Sequence, residues 1–131
     1  MKDNSQNRYS EDEVIAKGGI PCLKIDWEPV NGVVYEKFED GQLKSEINYK
    51  DGVWHGVWRE WYEDGQLLQE KNYKDGIGNL RNRWNKNGEL LVKDGNGKVT
   101  EYYNNGQIYE EGNYKDGKRV GKRTFYYEDG Q

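Results

Sequence analysis

The amino-acid sequence predicts an all-β protein: a single-layer, elongated antiparallel sheet of tandem β-hairpin repeats. Three observations predict it. A turn tetrapeptide recurs as Glu39-Asp40-Gly41-Gln42, Glu63-Asp64-Gly65-Gln66, Lys86-Asn87-Gly88-Glu89, Asn104-Asn105-Gly106-Gln107 and Glu128-Asp129-Gly130-Gln131, with glycines 24, 23, 18 and 24 residues apart. A second turn follows 11 residues after three of these glycines, at Asp51-Gly52, Asp75-Gly76 and Asp116-Gly117; Asp94-Gly95-Asn96-Gly97 takes its place in the short copy. Between turns lie runs rich in Tyr, Trp, Val and Thr, without helical periodicity. Asp-Gly and Asn-Gly are strong hairpin signals, because a type I′ turn needs positive φ at both central residues.

Composition says how such a chain holds together. Its 131 residues make one domain. A mean hydropathy of -1.26 and 34% charged residues ordinarily accompany disorder. Against that stand 5 Trp and 11 Tyr at recurring positions. Each aromatic side chain buries roughly 150–250 Å², so a few can stabilise a thin structure. With 17 glycines and 2 prolines, the chain has the makings of tight turns and not of a Pro-rich linker.

The elements follow in order. Residues 1–12 are expected to be a flexible N-terminus. Residues 13–30 read as an irregular cap hairpin, with Val14, Ile15, Ile20, Leu23 and Ile25 around Gly18-Gly19. Residues 31–131 carry the repeats, on turn glycines 41, 65, 88, 106 and 130. A two-residue turn at Asp64-Gly65 sets Tyr62 opposite Leu67 and Trp61 opposite Leu68. One column then holds Phe38, Tyr62, Asn85 and Tyr103 with Leu43, Leu67, Leu90 and Ile108. Tyr49, Tyr73, Tyr114, Trp58 and Val99 join it as the spine of the sheet. The other column holds Trp61, Trp84, Tyr102 and Tyr126, with Leu68, Leu91 and Tyr109 across from them. Two readings of this second column stay open: a partner-binding face, or aromatic surface buried by strand twist. The chain stops in mid-repeat at Gln131, so homo-oligomers through the C-terminal sheet edge are a further expectation.

Motifs that carry chemistry are missing. His55 is a lone histidine in Trp54-His55-Gly56, and no second His or Cys stands at metal-ligand spacing. Asp94-Gly95-Asn96-Gly97-Lys98 starts like a calcium loop, but Lys98 takes a ligand position and Asn105 stands where the closing Glu belongs. Cys22 is the only cysteine, so no intramolecular disulfide forms. Lys115–Arg123 is a local basic run that reads as a solvated loop. No catalytic, cofactor-binding or metal-binding residue is expected, and the protein reads as a non-enzyme. A net charge of -4 disfavours direct nucleic-acid contact and anionic membranes, and suits a basic protein partner. No run approaches the roughly 18–20 apolar residues of a membrane helix. Met1 to Glu13 is polar throughout and shows no signal peptide, so a cytoplasmic location is expected.

The string Trp61-Tyr62-Glu63-Asp64-Gly65-Gln66-Leu67 through Asn72-Tyr73-Lys74-Asp75-Gly76 recurs at Tyr102 through Gly117. It resembles the MORN-repeat variant family, whose bacterial members are labelled YwqK-type antitoxin-like proteins. The resemblance covers roughly residues 31–131 and implies hairpin repeats. The function expected is a non-catalytic protein–protein binding module. One alternative is an antitoxin-like or phage-borne, anti-CRISPR-type inhibitor that blocks a toxin or immune nuclease. Another is a self-associating structural or surface repeat protein.

Overall fold

Two kinds of turn alternate along the chain and set the rest of the architecture. The structure is a computed structural model that describes residues 7–129. At Asp51-Gly52, Asp75-Gly76, Asp94-Gly95 and Asp116-Gly117 both residues have positive φ; Asp51 stands at 52° and Gly52 at 78°. These are the type I′ turns expected. They leave Lys50 paired with Val53, Lys74 with Ile77, Lys93 with Asn96 and Lys115 with Lys118.

The other turns depart from expectation. Here only the glycine takes positive φ: Gly41 and Gly65 at 90°, Gly88 at 84° and Gly106 at 87°. The Gly65 N–H donates to the Tyr62 carbonyl at 3.0 Å, and the Tyr62 N–H to the Gln66 carbonyl at 2.8 Å. This is a type I turn closed by a left-handed glycine, a three-residue loop. The Asp64 carboxylate also accepts the Gln66 N–H at 3.0 Å, and Asp40 and Asn105 do the same for Gln42 and Gln107.

The longer loop corrects the expected register. Tyr62 closes on Gln66 and does not face Leu67. Trp61 pairs with Leu67 and Glu60 with Gln69, so Leu68 is the extra residue of a bulge. Lys44, Leu91 and Tyr109 are the extra residues in the other copies.

The strands are β1 (Arg8–Ser10), β2 (Val14–Lys17), β3 (Ile20–Leu23), β4 (Gly32–Lys37), β5 (Leu43–Lys50), β6 (Val53–Trp61), β7 (Leu67–Lys74), β8 (Ile77–Trp84), β9 (Leu90–Lys93), β10 (Asn96–Tyr102), β11 (Ile108–Lys115) and β12 (Lys118–Phe125). They form a ten-stranded sheet in the order β1-β4-β5-β6-β7-β8-β9-β10-β11-β12, with β2 and β3 as a separate hairpin. Every pairing is antiparallel except that of β1 with β4. β1 lies within residues 1–12, the stretch expected to be flexible, and the capped 3-10 turn at Glu11–Glu13 begins there and ends on the first residue of the expected cap. The Ser10 and Glu13 side chains there satisfy each other's backbone N–H groups. Residues 1–6 of that stretch lie outside the described residues.

Paired residues share a face of a sheet. Val34, Ile47, Trp58, Lys71 and Leu80 are successive partners, so they line one face. The β2–β3 hairpin covers this face at its N-terminal end, where Leu23, Val30 and Val34 pack with Tyr9, Val14 and Tyr49. Next come Trp54, Trp58 and Tyr73, with ring centroids 5.2–5.9 Å apart and the Lys71 ammonium 4.9 Å from the Trp58 centroid. A second cluster of Leu80, Val92 and Val99 follows, against Tyr114.

The shortened copy explains that second cluster. β9 ends early, and its turn docks on β8, with the Gly95 N–H donating to the Arg81 carbonyl at 2.8 Å. The next turn then reaches over it. Gly117 donates to the Gly95 carbonyl at 3.0 Å and accepts from the Leu80 N–H at 2.9 Å. The sheet is drawn together there, and Val92 is fully buried without a second layer.

Candidate binding surface

Carboxylates in the middle of the sheet are spoken for. Arg8 pairs with Glu46 at 2.5 Å, Arg59 with Glu70 at 2.7 Å, Arg83 with Glu101 at 2.5 Å, Lys98 with Glu111 at 3.4 Å and Arg119 with Glu110 at 2.5 Å. Such pairs fix the cross-strand register, and contribute about 0–1 kcal/mol each where exposed. Among the described residues no group of three His, Cys, Asp or Glu side chains could hold a metal ion. Cys22 is buried, and its thiol donates to the Ile20 carbonyl at 3.4 Å.

The candidate aromatic residues sit at the sheet end that carries the bulged turns. Trp61 and Trp84 are half-buried, and neither indole N–H donates to an atom of the described residues. Tyr102 is 62% exposed. Leu68 and Leu91 are half-buried bulge residues. Tyr126 donates its N–H to the Tyr109 carbonyl at 3.0 Å and its hydroxyl to Glu111 at 3.2 Å.

The column is not one strip. The Tyr109 ring lies 5.2 Å from Tyr103 and 6.2 Å from Phe125. Phe125 pairs with Glu110, and so lies on the face opposite Glu111 and Tyr126. The bulge turns Tyr109 away from the Tyr126 side. Lys44, its counterpart in the first copy, reaches Glu36 at 3.3 Å.

What the bulges build instead is a pair of open grooves. One brings Phe38, Trp61, Tyr62 and Leu68 beside Glu63 and Asp64. The other brings Tyr102, Tyr103 and Tyr109 beside Glu128. Sequence reasoning missed Phe38, Tyr62, Tyr103 and Phe125 as surface groups. The available signal was the aromatic doublet before the turn, Trp61-Tyr62 and Tyr102-Tyr103, both rings of which line the groove at that turn. Tyr62 also spans copies, its hydroxyl donating to the Trp84 carbonyl at 2.8 Å; Tyr103 does the same to Tyr126 at 2.8 Å. Burial pushes the Tyr62 phenol above its ordinary value, so it remains a donor.

A family model for the MORN repeat variant matches residues 30–51, 54–75, 95–116 and 119–131, more than half of the chain. The chain belongs to this family. Each of the three longer MORN units ends on the Asp of a type I′ turn, at Asp51, Asp75 and Asp116. The unmatched residues 76–94 hold the short strand β9. MORN repeats are modules often involved in binding and are generally not catalytic. Neither the curated proteins nor the solved structures gave a match to the chain.

Proposed function

We propose that this protein is a non-catalytic protein-binding module whose partner docks at the sheet end carrying the bulged turns. One observation supports this most. Tyr109 lines one groove with Tyr102 and packs edge-on against Phe125, and the three stand at 42%, 62% and 55% exposure. Contiguous exposed apolar surface on a folded protein usually marks an interaction site, and Trp and Tyr are favoured anchors. The expected contact residues are Trp61, Leu68, Trp84, Leu91, Tyr102, Tyr109 and Tyr126, divided between the two faces.

Capture of partners from the native host with the wild-type chain and with Tyr109→Ala and Trp84→Ala tests the reading. The expected result is a specific protein lost with either variant while thermal unfolding stays cooperative. A partner retained by both folded variants would defeat it. A finer reading makes that partner a toxin or an immune nuclease. The net charge of -4 supports it, since an acidic surface can occupy a basic channel. The identity of the captured protein decides it.

A further inference from the structure

The two ends of the strands differ in charge. The type I′ turns carry Lys50-Asp51, Lys74-Asp75, Lys93-Asp94 and Lys115-Asp116, with Lys118 following, and so are close to balanced. The bulged turns carry Glu39-Asp40, Glu63-Asp64 and Glu89 against Lys86, and Glu128-Asp129 follows β12 at the same end of the strands. The chain's negative charge is therefore gathered along one edge. Unlike the sheet carboxylates, those of Glu39, Glu63, Glu89 and Glu128 have no cationic partner among the described residues. The two aromatic grooves open along this same edge. Of the lysines beside the first groove, Lys44 is paired with Glu36 and its ammonium lies 6.0 Å from the Phe38 centroid, which leaves Trp61 and Tyr62 as the rings for a partner's cation, with Lys86 alongside.

We propose that this edge binds an extended, basic polypeptide segment, with one cationic side chain in each groove. The proposal rests on the binding-module reading and names the chemistry of its partner. A guanidinium or ammonium over an aromatic face gains cation–π attraction, and an adjacent carboxylate adds to it. Spacing makes the proposal specific. The first groove lies at β6–β7 and the second at β10–β11. Four strand intervals of about 4.8 Å separate them by roughly 19 Å. An extended chain covers that in about six residues at roughly 3.3 Å each. Residues six apart in an extended chain also point to the same side. The fitting segment carries Arg or Lys at positions i and i+6.

Fluorescence anisotropy with synthetic peptides tests this on the full chain. The probes are a Gly/Ser peptide with two arginines six residues apart, the same peptide with them three apart, and a glutamate version of the first. The first is expected to bind tightest, to weaken as salt rises, and to lose on the order of two- to five-fold for each of Glu63→Gln and Glu128→Gln. Glu28→Gln, an exposed change away from the edge, should leave affinity unchanged. Equal binding by the three- and six-spaced peptides, binding of the glutamate peptide, or an equal effect of Glu28→Gln would overturn the proposal. Sedimentation velocity in parallel reports on a second copy of the chain, whose lysine-bearing edge is the competing occupant. Dimers that vanish with Glu63→Gln would assign the edge to self-association and also overturn it. If no peptide binds while a host protein is still lost with Trp84→Ala, the basic-segment proposal fails and the binding-module reading stands.

Discussion

At the scale of single residues, the tyrosines before the bulged turns tie one copy to the next. Tyr62 and Tyr103 each donate a hydroxyl to a carbonyl 22 or 23 residues downstream. Phe38 and Asn85 occupy the same place and lack that hydroxyl. Tyr62→Phe keeps the ring and strands a part-buried carbonyl, so it should cost about 1 kcal/mol. A urea midpoint unchanged from wild type would show that water replaces the bond without loss. The phenols also make stability depend on alkaline pH. Burial raises Tyr62 above its ordinary 10.0, burial and then Glu60 raise Tyr73, and the hydrogen bond to Glu111 raises Tyr126. The folded state holds these protons more tightly than the unfolded chain does. Their contribution is therefore complete below about pH 10 and declines as pH climbs through the higher folded values. Urea midpoints should be flat from about pH 8 to 9 and fall above about pH 10, less steeply in Tyr62→Phe.

At the scale of elements, the glycines of the two turn types carry different burdens. Gly106 stands at φ 87° with open space where a Cβ would be, so Gly106→Ala meets backbone strain alone, about 1–2 kcal/mol. Gly117 stands at 84°, and its Cβ would lie 2.8 Å from the Asn79 Cβ and 2.9 Å from the Leu80 carbonyl. Gly117→Ala should cost clearly more, because it also lifts the turn off β8. Equal unfolding midpoints would mean that the turn's docking contributes little. These turns show where the sequence was legible. Lys-Asp-Gly was read correctly as type I′. Glu-Asp-Gly-Gln has the same Asp-Gly core, but there the Asp carboxylate caps the Gln N–H and keeps its own φ negative. The dipeptide alone does not distinguish these outcomes, and one extra loop residue moved Leu68, Leu91 and Tyr109 into bulges. Tyr49 and Tyr73 share a face with Trp58 as expected, and both lie next to a type I′ turn, where the two-residue count holds. The short copy was visible as an 18-residue spacing; that Gly117 would answer it by reaching Leu80 depends on contacts no local string encodes.

At the scale of the whole molecule, each hairpin touches mainly its neighbours, as in other quasi-one-dimensional repeat proteins. The apolar burial falls into two separate clusters, one under the β2–β3 hairpin and one at β8–β10. Between them lie aromatic rings and cross-strand pairs. Stability in such a chain is a sum of local and nearest-neighbour contributions, so damage at one end should fade along the sheet. Leu23 makes the sharpest test. It is 9% exposed and packs on Val30 and Val34. Leu23→Ala leaves a cavity there and should cost about 2–4 kcal/mol locally. Hydrogen exchange should then show lost protection in β4 and β5, a smaller loss in β6, and little change from β8 to β11. A uniform loss from β4 to β11 would mean that the two clusters fold as one cooperative unit, and that the aromatic stretch at Trp54, Trp58 and Tyr73 transmits strain as a true core does. The graded outcome bears on binding too. A partner gripping the two grooves would span β6 to β11, crossing the weakly coupled middle of the sheet, and should raise protection most in the strands between the grooves.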